Sequence, residues 1–213
     1  MKRAFFILTV IFAFTGVAGA QQIRTSPFEG RWVWDGRGDG IPYFTELTFF
    51  GDVMLGTDDG YPLYEGEYFT YTARLINFED FDTEWEYRIS GNTLTVTTED
   101  YDRFTYTRTG MGKSPMEGIW KVTGGSDFND DADQFMLFTG DIMALSDAYG
   151  YMGFKIDFSG RSFHPSRSYF RHVMGKEISE SELRYAAMEY GIYGNSMIIS
   201  QEGHAQLMLT RVY

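Results

Sequence analysis

The sequence contains no cysteine. Disulfide bonds and thiolate metal sites are therefore excluded, and so is the lipid anchor that bacterial lipoproteins attach to a cysteine. The chain must be held together by its hydrophobic core alone. Its 213 residues are enough for one large domain or two small ones.

Basic side chains are scarce. The chain has 18 Lys and Arg residues against 30 Asp and Glu, which gives a formal net charge of -12 at pH 7. A surface this acidic repels nucleic acid and anionic membranes, so we predict no nucleic-acid partner. It favours solubility, cations or basic partners.

Catalytic and metal-binding motifs are also missing. Neither G-x-S-x-G nor H-E-x-x-H occurs, and the spacing of His164, His172 and His204 selects no metal site. The loop at 127–133 has oxygen ligands at alternate positions, as calcium loops do, but it lacks the turn glycine, and Phe138 replaces the closing Glu. We therefore expect no catalytic residues, no metal and no cofactor, and a protein that is not an enzyme.

A long apolar run occurs only at the N-terminus. The chain starts with Met-Lys-Arg, continues with an almost wholly apolar segment at 4–17, and then has Ala18-Gly19-Ala20 where a signal peptidase reads small residues. This pattern predicts a signal peptide at 1–20. A membrane anchor is the alternative, but the run is shorter than the ~20 residues that span a bilayer. We expect export to the periplasm or the medium, with no transmembrane anchor after cleavage.

The two halves of the chain repeat one pattern. Five landmarks recur in the same order: Ser26-Pro27 through Gly30-Arg31-Trp32 as Ser114-Pro115 through Gly118-Ile119-Trp120, Gly51-Asp52 as Gly140-Asp141, Gly66 as Gly153, Gly91-Asn92 as Gly194-Asn195, and Thr107-Arg108 as Thr210-Arg211. Such repetition is typical of duplicated domains. We place the copies at 26–110 and 114–213, with an insertion near 155–185 in the second.

Apolar residues within a copy recur with a period of two. Trp85, Tyr87 and Ile89 alternate with charged residues, as in a strand with one buried and one wet face. The Gly-Asn pairs suit hairpin turns. We predict an all-β protein with seven or eight short strands in each copy. One helical stretch, near 180–188, is plausible.

The repeated residues resemble a known family. A first-strand G-x-W and a last-strand Arg, present as Trp32 with Arg108 and as Trp120 with Arg211, resemble the calycin superfamily of lipocalins, fatty-acid-binding proteins and avidins. The layout is most similar to small bacterial lipocalin-like domains. The resemblance implies two tandem small antiparallel up-and-down β-barrels. It also implies that each Arg packs across its Trp and closes one barrel end.

The same resemblance implies a cavity for a small apolar or amphipathic ligand. The residues that we expect to contact such a ligand are Trp34, Tyr71, Trp85, Phe104, Met143, Phe163, Arg167 and Arg171. The aromatic residues have an alternative role, because side chains alone can fill a small eight-stranded barrel.

The insertion in the second copy is unusually basic. It contains Arg161, His164, Arg167, Arg171, His172 and Lys176. This cluster predicts a positive patch that binds an anionic head group, caps the barrel mouth or docks on the acidic first copy. A solvated loop is the alternative.

Three functions fit these observations. The first is an exported, non-enzymatic protein that holds a small ligand in a barrel. The second is a structural or interaction protein of the cell envelope, whose solid barrels bind a protein or glycan through loops. The third is an outer-membrane barrel, which short strands and charged outward faces disfavour.

Overall fold

The structure is a computed structural model that describes residues 26–58, 61–78, 83–110, 114–125, 134–146, 150–201 and 204–212, without the side chains of 204–206. The predicted signal peptide at 1–20 and the acidic loop at 127–133 lie outside these residues. Within the described ranges, no helix is both long enough and apolar enough to cross a membrane.

Short strands dominate the fold. The first half contains β1 (Gly30–Gly38), β2 (Glu46–Phe50), β3 (Val53–Thr57), β4 (Leu63–Tyr71), β5 (Leu75–Phe78), β6 (Thr83–Ser90), β7 (Thr93–Thr97) and β8 (Arg103–Thr109). The second half contains β9 (Gly118–Gly124), β10 (Phe135–Thr139), β11 (Ile142–Ser146), β12 (Tyr151–Ser159), β13 (Ser162–Pro165), helices α1 (Arg167–Met174) and α2 (Glu180–Ala186), β14 (Met188–Tyr193), β15 (Ser196–Gln201) and β16 (His204–Arg211). The prediction of an all-β protein is confirmed.

The first eight strands form a closed antiparallel barrel. Each strand pairs with the next one along the chain, and β8 returns to pair with β1. This connectivity leaves no open edge, so every strand has hydrogen-bonding partners on both sides. The expectation of an up-and-down barrel of eight short strands is confirmed for this half.

The second half repeats the order of pairing. Its strands follow one another from β9 to β16, and β16 returns to β9. The chain divides into two compact units, one with β1–β8 and the other with β9–β16 and both helices. This pairing order alone does not confirm the predicted arrangement as two tandem barrels.

Alternating side chains build the core of the first barrel. In β7, Leu94 and Val96 are buried, while the three threonines that alternate with them are half-buried. In β8, Phe104 and Tyr106 are buried in the same way. Burying one such large apolar side chain stabilises the fold by about 1.5–3 kcal/mol. The period of two in the sequence therefore predicts which residues face the interior.

The predicted hairpin turns are present in both halves. Gly91 and Gly194 have φ angles of 59° and 63°, which only glycine adopts without a steric penalty. In each turn the next residue accepts a hydrogen bond from the arginine of the last strand. The Arg108 N–H donates to the Asn92 carbonyl, and the Arg211 N–H to the Asn195 carbonyl, both at 2.7 Å.

The insertion is helical and begins later than predicted. Residues 155–165 belong to the hairpin of β12 and β13, so the extra segment starts after Pro165. The expected helical stretch near 180–188 is present as α2, but α1 is an additional helix. The Ser166 hydroxyl caps the start of α1 by accepting from the Tyr169 N–H, and Gly175 ends the helix in the left-handed conformation.

Helix α2 begins with a reciprocal capping box. The Ser179 hydroxyl accepts from the Glu182 N–H, and the Glu182 carboxylate accepts from the Ser179 N–H at 3.0 Å. Lys176 also pairs with this carboxylate. Hydrogen bonding from Lys176, and then from Ser179, lowers the pKa of Glu182 to about 2 from its ordinary 4.5.

We expect acid to weaken the start of α2. A carboxyl group with a lowered pKa stabilises the fold above pH 4.5, and this contribution disappears as the pH falls towards 2. NMR titration should give a Glu182 midpoint near 2 in the native protein and a clearly higher midpoint in Lys176→Gln. The variant Arg88→Gln, in the first barrel, is the control. A midpoint near 4.5 in the native protein would contradict the capping geometry.

Candidate functional site

A tryptophan and an arginine close the first barrel where its first and last strands meet. Trp32 in β1 and Arg108 in β8 are direct cross-strand partners. The guanidinium lies 4.3 Å from the centre of the Trp32 ring and donates to the Pro27 carbonyl at 2.8 Å. The indole N–H donates to the Phe28 carbonyl, and Phe28 is fully buried.

The second half contains the same arrangement. Trp120 and Arg211 are cross-strand partners, and the guanidinium lies 4.4 Å from the ring centre. The indole N–H donates to the Met116 carbonyl at 2.7 Å. Met116 thus takes the place of Phe28. The contact that the family resemblance implies is present in both halves.

The π face of each ring covers one side of a half-buried guanidinium. The Nε atoms of Arg108 and Arg211 are buried and have no hydrogen-bond acceptor among the described residues. The ring quadrupole stabilises a guanidinium over an indole by about 0.5–2 kcal/mol, depending on how far the pair is desolvated. These four residues join the first and last strands of each half, β1 with β8 and β9 with β16.

A glutamate in each repeat fixes a hairpin. The carboxylates of Glu29 and Glu117 accept from the backbone N–H groups of Gly51 and Gly140, both at 3.1 Å. Glu117 also accepts from the Thr139 hydroxyl at 2.9 Å. Sequence analysis missed this role, although the repeated glutamate before G-x-W was the available signal. Both carboxylates therefore have structural roles.

The predicted ligand residues of the first copy belong to its packed interior or its rim. Phe104 is buried, and Trp34 and Trp85 pack half-buried against the core. The rings of Trp85 and Phe78 are 4.7 Å apart. Tyr71 is 40% exposed and touches the Phe28 ring edge-on at 5.5 Å.

The two interior candidates of the second copy are also buried. Met143 is 3% exposed and Phe163 is 0% exposed. The ring of Phe163 packs edge-on against Phe138 at 6.0 Å. A void wide enough for water would leave accessible surface on the side chains around it. Since these side chains have almost none, they fill the interior of the described part rather than line a pocket.

The basic cluster is largely neutralised by nearby acids. Arg167 pairs with Glu180, Arg171 pairs with Glu177 at 2.6 Å, and Lys176 pairs with Glu182. The Arg171 guanidinium holds the pKa of Glu177 below its usual value. For these three residues the ion pairs favour the alternative of a solvated segment over a positive patch. Arg167 and Arg171 are exposed on α1, and their ion pairs connect this helix to Glu177 in the following loop and to Glu180 at the start of α2.

A groove of about 500 Å³ lies on the outer face of the second unit. Four polar residues cross it in register: Ser159 pairs with Ser162, Ser162 with Glu189, and Glu189 with Ser200. The next outward-facing row is apolar, with Gly191 opposite Ile198. The groove thus has a hydrogen-bonding side and an apolar side.

Two tyrosines border this groove. Tyr190 is held in place, because its N–H donates to the Arg161 carbonyl at 2.9 Å and its hydroxyl donates to the Gly160 carbonyl at 3.3 Å. Tyr193 is 71% exposed, and its ring covers Gly191 so closely that a Cβ there would lie 3.0 Å from it. Glycine at position 191 therefore makes room for the Tyr193 ring.

Charged side chains complete the groove. Arg161 and Glu189 are both exposed and both line it. Together with Ser162 and Ser200 they offer hydrogen-bond donors and acceptors beside an aromatic face. Of these residues, sequence analysis singled out only Arg161. The glycine inside the β14 pattern was the available signal, since glycine in a strand often marks a close approach.

Nothing in the described ranges suggests a metal centre. No group of three or more His, Asp or Glu side chains is close enough there to hold an ion. The groove's arginine, glutamate and serines offer hydrogen bonds, and its tyrosines offer ring contacts.

Comparisons with known proteins identify no family for the chain. No protein-family model matches it, and neither does any curated protein. One similar solved structure is a crystal structure of the DNA polymerase sliding clamp from Pseudomonas aeruginosa with ligand. The identity is 9%, and the match covers 98% of this chain and 61% of that one. Its TM-score of 0.22 supports no conclusion about fold or function.

Removing the cation at the first barrel's closure should destabilise the fold. We expect Arg108→Ala to lower the free energy of unfolding by about 2 kcal/mol, because the ring contact and the buried stem are both lost. Arg108→Met, which keeps the stem, should lose about half as much. Urea denaturation measures both, with Arg74→Ala as the exposed control. Equal stability of Arg108→Ala and the native protein would refute this role.

Truncating a buried ring tests whether the interior is filled. We expect Phe163→Ala to lower the free energy of unfolding by about 3–5 kcal/mol, because it leaves a cavity in packed surroundings. Tyr71→Ala, which truncates a partly exposed ring, should lower the free energy of unfolding by less than about 2 kcal/mol. Thermal and urea unfolding report both values. A loss below about 1 kcal/mol for Phe163→Ala would show that its ring already borders empty space.

Proposed function

We propose that the protein is an exported, non-enzymatic binding protein made of two lipocalin-like barrels. The strand pairing in the second half follows the order seen in the first, closed barrel. The tryptophan–arginine contact also recurs at the same register in both halves. These repeats support one barrel per copy. Export rests on the signal-peptide pattern at 1–20.

A small ligand binds on the outside of the second barrel, in the groove that Arg161 and Tyr193 help to line. One observation carries this proposal: Phe104, Met143 and Phe163 are buried in the core, whereas the outer groove is open and has both polar and aromatic sides. Binding sites typically combine an apolar surface with a few converging polar groups. The resemblance alone would favour a ligand inside the barrel, but Phe104, Met143 and Phe163 have almost no accessible surface to offer it.

A saccharide fits the chemistry of this groove. A sugar ring has an apolar C–H face, which packs on an aromatic ring such as Tyr193. It also has a rim of hydroxyls, which hydrogen-bond to charged groups such as Arg161 and Glu189. The row of serines adds neutral donors and acceptors. The groove volume of about 500 Å³ is within the range of small-molecule sites.

NMR titration of the chain from residue 21 onward with a panel of mono- and disaccharides tests this function. We expect at least one sugar to shift the amide signals around Gly191. Tyr193→Ala should weaken binding of that sugar about fivefold, because a ring contact of this kind contributes roughly 1 kcal/mol. The matched control is Tyr43→Ala, since Tyr43 is 76% exposed and lies in the other half.

Two results would count against this function. One is a panel that shifts no groove signal. The other is a Tyr193→Ala variant that binds as tightly as the native chain. Native mass spectrometry of protein purified from its own host provides the complementary test. A co-purifying apolar molecule that survives in Tyr193→Ala would instead support a ligand inside a barrel.

A further inference from the structure

The loops at one end of the first barrel expose large apolar side chains. Ile41, Tyr43 and Tyr101 are 79%, 76% and 84% exposed, the highest values among the large hydrophobic residues described. Ile41 and Tyr43 belong to the β1–β2 loop, and Tyr101 belongs to the β7–β8 turn. Such exposure opposes the hydrophobic effect, and when grouped it marks an interaction surface.

The two loops lie at the same end of the barrel. Gly38, the last residue of β1, pairs with Phe104 near the start of β8. The Asp39 N–H donates to the Arg103 carbonyl at 3.0 Å, and the Arg103 N–H donates to the Asp39 carboxylate at 2.9 Å. Ile41 is two residues beyond Asp39. The contacts therefore join the β1–β2 loop directly to the end of the β7–β8 turn.

The β1–β2 loop is anchored from inside the barrel. The Phe44 ring packs over Gly56, where no Cβ would fit, and the Tyr106 hydroxyl donates to the Phe44 carbonyl at 2.8 Å. The Tyr43 ring then rests edge-on against Phe44 at 4.6 Å. Tyr43 is thus held in position before any partner arrives, which reduces the entropy lost on binding.

Tyr101 occupies its turn despite an unfavourable backbone. Its φ of 64° is the only positive value of a non-glycine residue in the described part of the chain. Its N–H donates to the Thr98 carbonyl at 3.0 Å, which closes the turn. Glycine or asparagine would suit this position better. Because the ring is 84% exposed, burial in the folded monomer does not explain it.

Acidic side chains surround the exposed residues. Among the described residues of the two loops, 39–45 and 98–102, the acids are Asp39, Glu99, Asp100 and Asp102, and neither Lys nor Arg occurs. The nearest cations in sequence are Arg37, which pairs with Asp35, and Arg103. The loops therefore present apolar groups within a negative field.

We propose that this tyrosine-tipped end docks on a basic surface of a partner protein. Tyrosine gives a large amphipathic contact at low conformational entropy cost, and the acids speed the encounter with a positively charged patch. A second copy of this chain is a poor partner, since it has the same net charge of -12. Nucleic acid and anionic membranes are repelled for the same reason.

Selection from a displayed random peptide library tests the proposal with the chain from residue 21 onward as bait. We expect the enriched peptides to be rich in Arg and Lys beside apolar residues. The variant Tyr43→Ser/Tyr101→Ser keeps every acid and should bind a selected peptide about tenfold or more weakly. The double variant Asp100→Asn/Asp102→Asn should slow association and reduce its dependence on salt.

Control variants separate this surface from the saccharide groove. Tyr193→Ala should bind the peptide as the native protein does, and Tyr43→Ser/Tyr101→Ser should keep saccharide binding and thermal stability. The proposal is overturned by enrichment of acidic peptides, by no enrichment, or by equal peptide binding to the tyrosine variant. Self-association in sedimentation velocity that the tyrosine variant abolishes would also overturn it, because a second copy would then be the partner.

Discussion

The pairing of β1 with β8 is the constraint on which the first barrel depends. The other seven pairings join strands that are neighbours in the chain, but this one joins its two ends. It has no disulfide to support it. Instead, a tryptophan and an arginine face each other across the join, 4.3 Å apart, and tie it to the segment before β1. The same cation–ring contact recurs between Trp120 and Arg211 in the second half.

Features encoded by local pattern could be predicted from the sequence. The period of two in β6, the glycine turns at 91 and 194, and the tryptophan–arginine pairs all depend on residue type at fixed spacing, and all are present. Helix α1 was missed, although Tyr169, Phe170 and the apolar pair at 173–174 recur at helical spacing and the caps Ser166 and Gly175 mark its ends. Its eight residues are too few for this pattern to repeat over more than about two turns. The closure of the first barrel, which the family resemblance implied, is confirmed by the pairing of β8 with β1.

The sites were harder to predict, for a different physical reason. Inward parity identifies Phe104 and Phe163 as interior residues, but it cannot tell a packed core from the lining of a cavity. That difference depends on the volume enclosed by all strands together. The charge balance of the basic cluster was hard to predict for a similar reason, because it depends on acids such as Glu177 and Glu180 that the fold brings into reach. The outer groove combines four strands and has no linear motif.

The closed meander places the two ends of the first copy side by side. Arg31, just inside β1, is the cross-strand partner of Thr109 at the end of β8. The chain therefore enters and leaves this barrel at one point of its surface. Termini that lie together allow a domain to be copied, inserted or permuted without rebuilding its interior. For an ancestral single barrel, gene duplication would have required only a short connecting peptide, and each half would then have been free to acquire its own surface.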